Sequence, residues 1–330
     1  TTKDMIDPAP VLGSGLGTDA PRTNNCDMRT TGWELEIGWR DRIQEVNYGI
    51  RFNVSDNRAK ILRYPYDGNF EDQSLNNWYN GRYDGEVWGY TTHGIANSDA
   101  EMQEWIKNNL PKWGSNWQGG DIMYCDLNGD GKVDNGENTL KNHGDLTIIG
   151  NTTPRYRFGL NLDVQWRGFD FSAFFQGVMK RDWFFGSGEP YFWGAVGGMW
   201  QSTVFKEHLD YWQPLSTDKD DPNYNIAANP GAYYPRPYFN TDKNRYTQTR
   251  YKQNAAYLRC KNMQLGYSLP TSIISRAGMT NCRFYVSVDN LFTISDISGV
   301  FDPEALGGGW GAGKLYPLQR TWSVGVNLSF

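Results

Sequence analysis

The sequence predicts an all-β protein, an antiparallel barrel that crosses a membrane with its strands, on three observations. Apolar and polar residues alternate at period two in segment after segment. The connections between those segments are by turns short and very long. No uninterrupted apolar stretch approaches the ~18–20 residues of a membrane helix, whereas barrel strands need only ~9–11 half-polar residues and leave no trace in an averaged hydropathy.

The segments follow in order. Trp33, Leu35, Ile37 and Trp39 alternate with Glu34, Glu36, Gly38 and Arg40. Val46, Tyr48, Ile50, Phe52 and Val54 alternate with Asn47, Gly49, Arg51 and Asn53. The clearest case runs from Tyr156 to Arg167, where every even position is apolar, from Tyr156 and Phe158 to Val164 and Trp166, and the odd positions include Arg157, Asn161, Asp163 and Gln165. At ~3.3 Å per residue and a ~45° tilt, such a strand matches the ~25 Å apolar band of an outer-membrane barrel, with Tyr156 and Trp166 at the girdles. Phe169, Phe171, Ala173 and Phe175 form a fourth strand. Tyr257, Met263, Leu265, Tyr267 and Leu269 form a fifth, broken near its start by Arg259 and Lys261. Phe284, Val286 and Val288 give the sixth, and Trp322 to Phe330 the seventh.

The connections 40–45, 167–168 and 270–281 are short or moderate; those at about 55–155, 179–256 and 289–320 are long. Short periplasmic turns opposite long extracellular loops are a property of membrane barrels, while a compact domain seldom carries such long connections. Polar positions such as Arg51, Asn53, Arg157, Asp163 and Gln165 then face a wet lumen. Seven is an odd number, and barrels close with even counts, so a first strand and whatever fills the lumen are expected from a preceding part of the polypeptide or from another chain.

Composition excludes several functions. With 32 basic and 37 acidic residues and no basic cluster, the chain offers nothing for phosphate neutralisation, so no nucleic acid is expected as a partner. Aromatics make up 15% of the chain, and Gly 37 with Pro 15 stays below the level of a disordered segment. Cys26, Cys125, Cys260 and Cys282 form no CxxC pair. Cys260 falls on the polar register of its strand and Cys282 on the apolar register of the next, which argues against a disulfide between them. His93, His143 and His208 are scattered without a nucleophile and base at workable spacing, and the glycine run at 13–17 opens no convincing helix, so no enzyme is expected.

One motif carries metal chemistry. Asp126, Asn128, Asp130, Gly131, Lys132, Asp134 and Glu137 satisfy D-x-[DN]-x-[DN]-G-x5-E in full, with the Lys132 carbonyl at the seventh place. These oxygens are the expected ligands of a structural Ca²⁺, held on an extracellular loop because both flanks read as extended. The bland reading is an ion-free acidic turn braced by Lys132 and Lys141. Trp183, Tyr191, Trp193, Trp200, Tyr211 and Trp212 crowd one long loop, where they either stack on a ligand or partner or pack on one another.

Taken together the residues resemble the C-terminal part of SusC/RagA-type TonB-linked outer-membrane proteins over nearly the whole chain. The blocks that carry the resemblance start at Met28, Gly120, Ile149, Tyr257, Val288, Asp302, Tyr316 and Val324. The resemblance implies a plugged barrel of ~22 strands, with plug and TonB-contacting segment preceding the matched region. It implies import of an oligosaccharide or peptide across the outer membrane, under a SusD-like surface lipoprotein lid and driven through the TonB complex. Terminal Phe330 is similar to the assembly signal of such barrels. Two other readings compete: a secreted or surface β-sandwich that binds glycan through a calcium-braced loop, and a porin-like channel without active transport.

Overall fold

The computed structural model describes residues 1–8, 22–65, 72–185, 190–198, 204–306, 316 and 318–330. The glycine run at 13–17, Trp200 and the side chain of Tyr191 lie outside the described part.

One eight-stranded sheet organises the chain. Its strands are β1 (Thr2–Pro8), β2 (Arg22–Ile43), β3 (Val46–Arg63), β4 (Arg155–Trp166), β5 (Phe169–Lys180), β6 (Tyr257–Ser268), β7 (Asn281–Ser295) and β8 (Thr321–Ser329). Each pairs antiparallel with the next, and no ladder joins β1 to β8 among the described residues. The strand absent from the expected seven is β1. It carries few apolar residues and meets β2 through two register shifts, so it has no period-two signal.

Register turns the alternation of single strands into two faces. Trp39, Ile50, Leu162, Ala173, Met263, Val288 and Trp322 lie opposite one another across seven strands, an unbroken apolar row. One residue along, Arg40, Gly49, Asp163, Ser172, Gln264, Ser287 and Ser323 form an equally unbroken polar or small row on the other face. A slip of one residue anywhere would exchange the faces, so the pairing is strongly specified. Large side chains of the apolar face stand exposed, Trp39 at 60% and Trp322 at 63%, while the smaller Ala173 and Val288 of the same row are covered. Among the described residues no second large sheet packs on this face, the other ladders being two-stranded, and this removes the β-sandwich reading, whose apolar face must meet a partner sheet.

The short turns lie at one end. Arg167 and Gly168 sit at φ 47° and 86°, as a two-residue hairpin with positive φ at both positions requires. Beside this turn Trp166, Phe169 and Tyr267 form an aromatic belt, with ring centroids 6.3 and 4.5 Å apart. The β6–β7 connection is a helical turn, Thr271–Ile274 continuing as Ser275–Ala277, that stops at left-handed Gly278.

Two strand details differ from expectation. At 22 and 18 residues, β2 and β3 outrun the apolar band, and β7 runs to Ser295, so the long connections begin at 64 and 296 and not at 55 and 289. The break at Arg259 and Lys261 is a β-bulge: Cys260 faces Phe175 while Asn262 faces Phe174, leaving Lys261 as the extra residue. The bulge moves Cys260 onto the apolar row, opposite Phe175 and Phe292, and corrects its assignment to the polar register. Cys260 and Cys282 form no disulfide with each other.

The long connections fold into their own cores. Tyr90, Met102, Trp117, Tyr124, Val133 and Trp212 centre one cluster. Trp183, Phe185, Phe192, Trp193, Tyr251 and Phe301 centre another. Asp121, fully buried, stitches two of the connections together: its carboxylate accepts from Lys243 Nζ at 2.6 Å and Asn244 Nδ2 at 2.9 Å.

Candidate functional site

The loop lobe presents an open cleft of about 660 Å³. Short ladders build it. Strand residues Glu86–Tyr90 pair with Leu146–Asn151, and Leu110–Pro111 run parallel to Lys132–Val133. These ladders place Trp88, Tyr90, Lys112, Trp113, Asp134 and Tyr246 around one space. The Trp113 ring lies 4.7 Å from Tyr90 and 4.6 Å from Tyr246, and Tyr90 meets Tyr246 edge-on at 6.0 Å. Burial pushes the Tyr90 hydroxyl well above its ordinary range, so it stays a neutral donor. Arg82 is fixed at the rim, donating to the Asn77 carbonyl at 2.6 Å and the Glu86 carbonyl at 3.2 Å. Aromatic faces flanked by fixed polar groups suit a ligand with both apolar faces and hydroxyls.

The 126–137 loop forms one wall. Asp126 accepts from the backbone N–H groups of Gly129 and Gly131 at 2.6 and 2.7 Å. Asn128 accepts from Asp130 N, and Asp130 from Lys132 N, both at 2.9 Å. Asp134 accepts from Gly136 N at 2.7 Å and is ion-paired with Lys112. The Lys112 ammonium holds Asp134 below the usual carboxylate range; burial opposes this, and the Gly136 N–H assists. Glu137 is exposed. Among the described residues, no group of three or more His, Cys, Asp and Glu side chains converges as metal ligands would. Four of the expected Ca²⁺ ligands, Asp126, Asn128, Asp130 and Asp134, thus accept from backbone N–H groups, and Asp134 is also paired with Lys112. Asp145, missed by sequence reading, completes the loop: its oxygens accept from Leu127 N at 2.7 Å and Asp134 N at 2.8 Å. It lies eight residues beyond the motif, and nothing in the motif points to it.

The loop aromatics singled out in the sequence go inside. Trp183, Trp193 and Trp212 are buried, packed among other rings, and Tyr211 packs partly buried beside them. Trp183 and Trp193 share one core, and Trp212 belongs to the other. The aromatics of the cleft, Trp88, Tyr90 and Trp113, were overlooked because nothing but the fold brings them to Tyr246. The histidines do not assemble either: His93 stacks on Trp105, His143 packs near Trp88 and His208 on Phe192.

On the wet face of the sheet, Arg51 and Asp163 line a second space of about 620 Å³ with Arg40, Asn161 and Asn262. Asn53 and Arg157 line a third of about 520 Å³ with Gln176 and Arg181. Gln165 lines neither. Phe330 stands exposed just beyond β8.

An apolar row outward, a polar row inward, an aromatic belt at the short turns and long folded loops at the other end define a strip of an outer-membrane β-barrel. No family model matches the chain. Over its full length it is 26% identical to TonB-dependent receptor P3 of Formosa agariphila, of which it covers 31%, and 26% identical to TonB-dependent receptor P39 of the same organism, of which it covers 33%. It is 25% identical to TonB-dependent receptor SusC of Bacteroides thetaiotaomicron over 63% of the chain and 17% of that protein. A solved structure of the RagAB peptide transporter superposes with a TM-score of 0.66 at 23% identity, over 99% of this chain and 32% of the other. The chain is SusC/RagA-like and spans about a third of the length of the full-length relatives it matches.

Proposed function

We propose that this chain forms barrel wall and extracellular lobe of a TonB-dependent importer that brings an oligosaccharide across the outer membrane. The observation that carries the reading is the pair of cross-strand rows, apolar through Leu162 and polar through Asp163, in a chain similar to TonB-dependent receptors. The aromatic cleft around Trp113 favours a saccharide, whose pyranose faces stack on rings while hydroxyls meet the polar rim. A peptide is the second reading, favoured by the fold shared with a structure described as a peptide transporter. A SusD-like lipoprotein closing over the loops, and a plug and TonB contact supplied outside these residues, complete the scheme. The wall itself does no chemistry: its polar face hydrates the passage, and its apolar face anchors it in lipid.

The test is uptake of a labelled oligosaccharide by cells that carry the complete receptor, with and without functional TonB. Uptake that needs both receptor and TonB is the expected result; receptor-dependent uptake that persists without TonB would establish a passive channel instead.

A further inference from the structure

We propose that Arg29, Arg58 and Lys60 form a binding site for the phosphate of an anionic glycolipid in the outer leaflet. The inference rests on the placement of the wall in the outer membrane and not on what the receptor imports. Strand register builds the site. On β2 the lipid-side positions Trp39, Ile37, Leu35 and Trp33 continue at period two through Thr31 to Arg29, and on β3 Phe52 and Val54 continue through Asp56 to Arg58 and Lys60. The ladder sets Trp33 opposite Asp56, Thr31 opposite Arg58 and Arg29 opposite Lys60, with no register shift among these pairs. The face that is apolar inside the bilayer is therefore basic above it. Arg29 is remote from the other two in sequence, so no basic run announces the trio.

The height of the site fits a headgroup. Trp33 and Tyr156, with ring centroids 6.5 Å apart, mark the upper girdle, as Trp166 and Phe169 mark the lower. From Trp166 to Tyr156 the wall rises about 23 Å at ~3.3 Å per residue and a ~45° tilt, close to the ~25 Å apolar band. The same geometry puts Arg58 about 5 Å, and Arg29 and Lys60 about 9 Å, beyond Trp33. The headgroup zone is about 5–8 Å thick on each side of the hydrocarbon, and the long stems of Arg and Lys reach along the surface to it. Arg29 and Arg58 are exposed and Lys60 is half-buried. Among the described residues none of the three has an ion pair, and the Asp56 carboxylate on their face is taken by Arg155 through two hydrogen bonds. Tyr83 orders two of them: it bridges Lys60 as an antiparallel neighbour, and its ring lies 4.1 Å from the Arg58 guanidinium carbon and 5.3 Å from Lys60 Nζ. A guanidinium stacked on a ring keeps its edge N–H groups for a phosphate oxyanion, and the ammonium adds a point charge. Acyl chains of the same molecule lie against Trp33, Leu35 and Ile37 directly below, so a phosphorylated lipid meets both halves of the surface and a free phosphate only one.

The experiment titrates the complete receptor in detergent with phosphorylated lipid A and with lipid A stripped of its phosphate, and reads bound lipid by native mass spectrometry. The wild type binds the phosphorylated form more tightly. Combining Arg29→Gln, Arg58→Gln and Lys60→Gln weakens that form about a hundredfold, roughly fivefold for each basic side chain at an anionic surface, and leaves the stripped form unchanged. Arg276→Gln, which removes an exposed arginine at the short-turn end, changes neither affinity. Equal binding of the two forms by the wild type overturns the proposal, as does wild-type affinity in the triple variant. Displacement of the phosphorylated lipid by inorganic phosphate alone would assign the site to a free anion and overturn the lipid. Should the triple variant not assemble, Arg29→Gln alone decides: a loss of about fivefold supports the site, and an unchanged affinity overturns it.

Discussion

Arg259 donates from Nη2 to the Asp302 carboxylate at 2.8 Å, tying the wet face of β6 to a segment 43 residues away. Glu304 joins the same guanidinium at 3.2 Å and the ammonium of Lys261 at 3.0 Å, while Arg181 donates to the Pro303 and Leu306 carbonyls at 3.3 Å. The segment is thus strapped to the wall, with Phe301 and Leu306 sunk into the loop core. Arg259 is almost fully buried, so Arg259→Leu leaves Asp302 with no cation and costs about 3–5 kcal/mol of local stability. Limited proteolysis checks this: cleavage within 296–306 rises steeply in the variant, and an unchanged digest would show the pairs to be dispensable.

The two rows make opposite forecasts for neighbouring residues. Leu162 lies in the middle of the apolar row and Asn161 beside it on the wet face. An arginine at 162 faces lipid and costs about 2–4 kcal/mol if it sits near the bilayer midplane; an arginine at 161 meets water and costs little. Refolding of the complete receptor into lipid vesicles, followed by its denaturant midpoint, separates Leu162→Arg from Asn161→Arg. Equal midpoints would contradict the assignment of faces.

The residues that made the wall legible in the sequence are those whose signal is local. Tyr156 to Arg167 declares both faces in twelve residues, because a strand with one wet side must alternate wherever it is. Cys260 was misassigned for the same reason: a bulge at Lys261 changes parity, and whether a basic residue marks a bulge or a broken strand depends on the partner strand. The loop site was hidden more deeply. Trp113 and Tyr246 meet 4.6 Å apart although 133 residues separate them in sequence, and Asp121 finds Lys243 across 122. Trp183 and Trp212 stood out by density of aromatics alone, which reports a core as readily as a surface.

His208 gives the lobe a pH dependence. Its Nδ1 accepts from Phe205 N at 3.3 Å, and its ring lies among Phe192, Trp193 and Tyr234. Burial pushes its pKa below the ordinary 6.5, against a small opposing pull from Glu207. The unfolded lobe therefore binds a proton that the folded lobe refuses, and stability, complete above pH 6.5, falls as pH drops below that value. Tryptophan fluorescence melts from pH 7.5 to 5.5 check the direction. His208→Phe, which has no proton to take up, flattens the slope by up to one proton, and an unaltered slope would assign the effect to other groups.

Trp113 is the ring on which the cleft depends, touching Tyr90, Tyr124 and Tyr246 at 4.6–5.0 Å. A ligand stacked there loses its platform in Trp113→Ala, and truncation of a central aromatic anchor costs about 2 kcal/mol or more, roughly a thirtyfold weaker Kd. Because Trp113 also donates from Nε1 to the Lys243 carbonyl at 3.2 Å, the alanine variant loosens the lobe as well. Trp113→Phe keeps a ring while losing that bond, so it separates the two effects: stability falls but most affinity stays. Trp78, half-exposed against Tyr64 and outside the cleft lining, is the control, and Trp78→Ala leaves affinity unchanged. Oligosaccharide titration of the complete receptor reads all three variants. Loss of affinity in Trp78→Ala with none in Trp113→Ala would move the binding site out of the cleft.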